Sequence, residues 1–83
     1  MRNIRETLEE IVNDLMPEDT VPVRSRTCVN CSHWDSLFEL NLTIAIEQEF
    51  QVRVTDPDVL ELTSFDAVAR FLEEMQREVN DAG

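Results

Sequence analysis

No apolar run in the chain approaches the roughly 20 residues needed to cross a bilayer, so membrane insertion is not expected. The first sixteen residues mix charge with helical spacing and lack the continuous apolar core of a signal peptide, which points to a cytoplasmic protein. Basic residues are scarce: seven stand against eighteen acidic ones, for a formal net charge of −11. A surface of that sign repels nucleic-acid phosphates and anionic lipid, and it steers partners that carry basic patches. Cysteine is limited to Cys28 and Cys31, which a reducing compartment keeps as thiols. Internal repeats, low-complexity tracts and signs of a second domain are missing as well. At 83 residues the chain is expected to form a single domain, 1–83, with a thin core. It has little room for a deep substrate pocket plus a catalytic apparatus, so the expectation is a module that enzymes act upon and not an enzyme.

What the sequence does contain is helical periodicity. Over residues 3–16, Ile4, Leu8, Ile11, Val12 and Leu15 fall on one face and Arg5, Glu6, Glu9, Glu10 and Asn13 on the other. Asn3 is the expected N-cap, with Glu6 three residues on, and Pro17 the stop. Residues 17–34 carry no sustained period and read as a long loop, a length that is often functional in small domains. Val21, Val23, Cys28 and Val29 are its candidate anchors. A second helix is expected over 35–50, N-capped by Asp35. It carries two apolar stripes: Phe38, Leu42, Ile46 and Phe50 at steps of four, and Leu37, Leu40 and Ile44 around the helix from them. One stripe suffices to bury a surface helix, so the second is free for something besides the core.

Residues 51–55 alternate like a strand but have no partner strand, and read as an extended linker. Pro57 suits the first turn of a short helix over 57–61. Thr63 and Asp66 fit a capping box for a last helix over 64–79, whose buried side is Phe65, Val68, Phe71 or Leu72, Met75 and Val79, with 80–83 frayed. The expected fold is all-α, a small monomeric four-helix bundle of three longer helices and one short one, with a long first loop.

Two places hold candidate chemistry. The first is Asp35-Ser36-Leu37, a serine at the start of a central helix after a long loop. A phosphate attached there lies at the positive end of the helix dipole, close to free backbone N–H groups. A modifying enzyme supplies the base, so Ser36 needs no nucleophilicity of its own. As a bare tripeptide it is also an ordinary helix start. The second is Cys28-Val29-Asn30-Cys31 with His33, to which Asp35 could add a fourth zinc ligand. No second ligand pair follows and no strand–helix unit presents the cysteines, so no metal is expected: Cys28 fills an apolar loop position and Cys31 is half-exposed. His33 is not expected to be a catalytic base, and Trp34 is expected to anchor the loop on the bundle.

The residues around Ser36 settle the weight of the first place. Trp34-Asp35-Ser36-Leu37, Glu39-Leu40-Asn41-Leu42 and Ala45-Ile46-Glu47-Gln48-Glu49-Phe50 resemble the acyl carrier protein family. So do Val52 and Val54, Asp56-Pro57-Asp58, Leu62-Thr63-Ser64-Phe65, Ala67-Val68 and Phe71-Leu72. The resemblance implies that Ser36 receives 4'-phosphopantetheine from coenzyme A, with Asp35 and Leu37 part of the surface met by a phosphopantetheinyl transferase. It implies further partners, enzymes that load and transfer the acyl thioester through basic docking patches, meeting Leu37, Glu39, Ile44, Glu47 and Asp56. Leu40 would border the space for the cargo. The chain departs from the family's pattern at His33 and Trp34, where a glycine and a small residue are common. It departs again at Phe38 and Asn41, where carriers of fatty-acid synthesis usually have acidic residues. These departures favour a dedicated carrier for a specialised lipid, polyketide or amino-acid-derived product. A carrier of the aminoacyl or peptidyl type, loaded by an adenylating enzyme, and a helical interaction domain that receives no arm are the competing readings.

Overall fold

The computed structural model describes residues 3–16 and 19–82, the side chains of 78–82 excepted. The described chain is helical, with three long helices, one short helix and no strand. Helix α1 spans Ile4–Leu15, α2 Ser36–Phe50, α3 Asp56–Val59 and α4 Phe65–Ala82, with a single 3-10 turn at Val23–Ser25. Helix α4 runs through Ala82, past the end expected at 79. The expected stop at Pro17 and the burial expected of Val79 lie outside the described residues.

Each start has a local cause. Asn3 Oδ1 accepts the Glu6 N–H at 2.8 Å, and Asn3 Nδ2 donates to Glu6 Oε1 at 3.4 Å, which fixes the entry to α1. Thr55 and Asp58 cap α3 reciprocally, so the short helix starts at Asp56, one residue before Pro57. At α4 the cap is Ser64, whose Oγ accepts the Ala67 N–H at 3.0 Å. The box expected between Thr63 and Asp66 does not form. Thr63 instead gives its carbonyl to the Cys28 N–H, and Asp66 pairs with Arg5 at 3.1 Å and with Arg70 at 2.9 Å. Helix α2 ends on Gln51 in the left-handed conformation (φ 54°), a position where glycine is the commoner choice.

The core is built from one face of each long helix: Leu8 and Val12 of α1, Phe38, Leu42 and Ile46 of α2, and Phe65, Val68, Ala69 and Leu72 of α4. Each fully buried large side chain contributes about 1.5–3 kcal/mol. Helix α1 packs against both α2 and α4, and the 3-10 turn packs on α1 and α4. Phe71 and Phe50 reach the core only in part, as do Val52 and Val54 of the linker. The Val54 N–H donates to Glu47 Oε2 at 3.0 Å, which holds that linker extended against α2.

The first loop is pinned by only some of the residues expected. Val23 packs on the core, but Val29 is 92% exposed and Cys28 is exposed too. Cys31 and Arg26 are the buried ones, so the two cysteines exchange their expected roles. The cause is a backbone tie: the Cys28 N–H donates to the Thr63 carbonyl, the Phe65 N–H donates to the Arg26 carbonyl, and Thr27 and Ser64 form an isolated antiparallel bridge. This tie turns Cys28 outward. Arg26 keeps its buried guanidinium satisfied by donating to the Val21 carbonyl at 2.9 Å and to Met16 Sδ at 3.4 Å.

Candidate functional site around Ser36

Ser36 is the first residue of α2 and is exposed. Asp35 positions it: the aspartate backbone is extended, and Oδ1 accepts the Phe38 N–H at 2.8 Å. The first N–H groups of a helix have no intrahelical acceptor. With Phe38 capped, the N–H groups of Ser36 and Leu37 remain directed toward the N-terminal end of the helix, where Ser36 stands. The loop before the serine is held down by Trp34, as expected. Its Nε1 donates to the Leu62 carbonyl at 3.0 Å, and its ring packs on Phe38 with centroids 4.7 Å apart.

Beside Ser36, α2 shows solvent an apolar face. Leu37, Leu40 and Ile44 are 67%, 56% and 49% exposed, whereas Leu42 and Ile46 of the same helix are fully buried. A helix apolar all round is ordinarily buried all round, so the outer stripe is an exception that packing does not explain. A shallow cavity of about 180 Å³ opens on one flank, lined by Leu15, His33, Asp35, Leu37, Phe38 and Asn41. Leu40, expected to border cargo space, is absent from that lining.

The carboxylates expected to dock partners differ from one another. Asp56 is exposed in the first turn of α3. Glu39 is half-buried, and burial raises its pKa above the ordinary carboxylate value; repulsion from Asp35 adds to this, and the nearby Trp34 indole offsets part of it. The indole N–H itself points at Leu62. Glu47 already spends one oxygen on the linker. The acidic surface next to Ser36 is therefore thinner than a count of carboxylates suggests.

The four residues weighed as a zinc set, Cys28, Cys31, His33 and Asp35, are not brought together. Cys28 is turned out and Asp35 caps α2. Asp19 takes their place: its Oδ2 lies 3.1 Å from His33 Nδ1 and 3.4 Å from Cys31 Sγ. Its pKa falls to about 2, first through the Val21 N–H and then through His33 and Cys31. Sequence spacing gave no sign of Asp19, which stands twelve residues before Cys31 in an aperiodic loop. The arrangement defines a class, an all-helical module that displays a capped serine and an apolar helix face. The chain matches no protein-family model and no curated protein.

Proposed function

We propose that the chain is a carrier protein of four-helix-bundle type that holds acyl intermediates on a 4'-phosphopantetheine arm at Ser36. The observation that carries this reading is the exposed Ser36 at the first position of α2, capped by Asp35 and flanked by the exposed apolar stripe. The residues fit the group. Ser36 Oγ is open to a transferase, and the Ser36 and Leu37 N–H groups can donate to phosphate oxygens at the positive end of a fifteen-residue helix. Attached there, the arm supplies a terminal thiol on which an acyl group is carried as a thioester. Ser36 anchors, Asp35 fixes the serine by holding the first turn, and Leu37 and Ile44 offer apolar contact to loading and transferring enzymes, with Asp56 as the charged contact.

The departures from the carrier pattern support a dedicated pathway. Trp34 and Phe38 pack on one another with tilted rings, so an aromatic pair in the core stands where fatty-acid carriers place a small residue and an acidic one. Asn41 lines the cavity beside Ser36 and adds no charge.

Incubation with coenzyme A and a broad-specificity phosphopantetheinyl transferase tests the proposal. One phosphopantetheine mass is expected on the chain, and none on Ser36→Ala, whose helicity should be unchanged. A chain that stays unmodified, with its fold intact, contradicts the carrier reading and leaves an unarmed interaction domain.

A further inference from the structure

Away from Ser36 Oγ, the first loop folds three donor atoms of different chemistry onto one point. Asp19 Oδ2, Cys31 Sγ and His33 Nδ1 come from both ends of the loop and lie within 4.8 Å of one another. Zinc binds sulfur at about 2.3 Å and nitrogen or oxygen at about 2.0–2.2 Å, so tetrahedral angles put its ligand atoms about 3.3–3.7 Å apart. The Asp19–His33 and Asp19–Cys31 separations are 3.1 and 3.4 Å, already close to that spacing.

The surroundings suit a cation. The second oxygen of Asp19 accepts the Val21 N–H at 3.0 Å, the outer hydrogen bond that orients a ligating carboxylate. Cys31 is buried, Asp19 half-buried and His33 exposed, which leaves an entry path and an open coordination position on the solvent side. A thiolate and a carboxylate together neutralise a divalent ion. The resulting centre is tolerable near the buried Arg26, whose Nη1 lies 3.4 Å from Met16 Sδ, itself 3.5 Å from Cys31 Sγ. A Cys–His–Asp nucleophile is a poorer description. Among the described residues the buried thiol meets Asp19 and Met16, whereas an activated cysteine hydrogen-bonds to the imidazole.

We infer that Asp19, Cys31 and His33 form a binding site for one borderline-soft divalent metal ion, zinc foremost, with solvent at the fourth position. On binding, the Cys31 thiol proton passes to solvent and an Sγ–metal bond takes its place. The ion then clips the two ends of the first loop together and fixes His33, which also lines the cavity beside Ser36. The site is independent of any modification at Ser36.

Cobalt(II) titration of the reduced full-length chain tests the site. One equivalent should bind, with the charge-transfer absorption of a cobalt–thiolate bond, and zinc should displace it. His33→Ala and Asp19→Ala change side chains outside the core and should each weaken binding more than about tenfold, since loss of an outer-shell partner alone costs about 10–100-fold. Cys31→Ser should abolish the absorption, and Cys28→Ser should leave both absorption and affinity unchanged. Zinc should also raise the melting temperature beyond an equal concentration of magnesium, which prefers oxygen ligands. That excess should vanish in His33→Ala. Absence of the cobalt–thiolate band, unchanged affinity in His33→Ala, or lost binding in Cys28→Ser would each overturn the inference.

Discussion

Ser36 owes its position to the residue before it, because the Asp35 carboxylate takes the Phe38 N–H and so starts the helix at the serine. The same device recurs where no modification is expected. Thr55 and Asp58 cap α3, with the Asp58 carboxylate accepting from the Thr55 backbone N–H at 3.0 Å and from its hydroxyl at 2.8 Å. The backbone N–H is the larger cause, and together they hold the Asp58 pKa below the ordinary 3.8. A depressed carboxyl stabilises the fold above its unfolded pKa, and that contribution is lost as pH falls through the folded value. Titration followed by side-chain carboxyl NMR should therefore place the Asp58 midpoint below 3.8, and Thr55→Val should move it upward. A midpoint at or above 3.8 in the unsubstituted chain contradicts the capping box.

Helix α2 carries one buried and one exposed apolar stripe, and substitutions two residues apart separate them. Ile46 is fully buried and Ile44 half exposed. Ile46→Ala should cost about 2–5 kcal/mol of stability in denaturant unfolding. Ile44→Ala should cost about 1 kcal/mol or less yet slow loading or transfer by partner enzymes. Equal destabilisation by the two would make the outer stripe part of the core. This division was legible in the sequence, because steps of four and the Asp35 cap depend on helix geometry alone. Phe50, on the inner stripe by spacing, is only half-buried since the chain turns away at Gln51. The first loop was not legible. It has no period, and its burial is set by partners distant in sequence: Thr63 holds Cys28 outward, while Met16 and Asp19 enclose Cys31. Arg26 runs against composition for the same reason, since a guanidinium is buried where a carbonyl and a thioether happen to meet it. At α4, Thr63 and Ser64 are equally good caps by residue type, and the bridge from Thr27 to Ser64 decides between them.

At the scale of the molecule, a net charge of −11 sits on 83 residues. Among the described residues, Arg5 binds Asp66 and Glu73 across the fold, and Arg24 binds Glu9. Exposed pairs of this kind contribute about 0–1 kcal/mol each, too little to offset self-repulsion. Moderate salt should therefore raise the melting temperature of a chain whose far-ultraviolet circular dichroism is mostly helical. A melting temperature indifferent to salt contradicts repulsion as the limiting term. Charge of this sign also suits a protein that visits several basic enzymes in turn. No helix among the described residues is long and apolar enough to cross a membrane.

The central claim is that Ser36 carries the arm and its cargo, and fragment-level mass spectrometry of the chain isolated from its own cells tests it most directly. The account predicts phosphopantetheine on the peptide containing Ser36, bearing an acyl group released by hydroxylamine. An unmodified Ser36, or the group found on Ser25, Ser32 or Ser64, would contradict it.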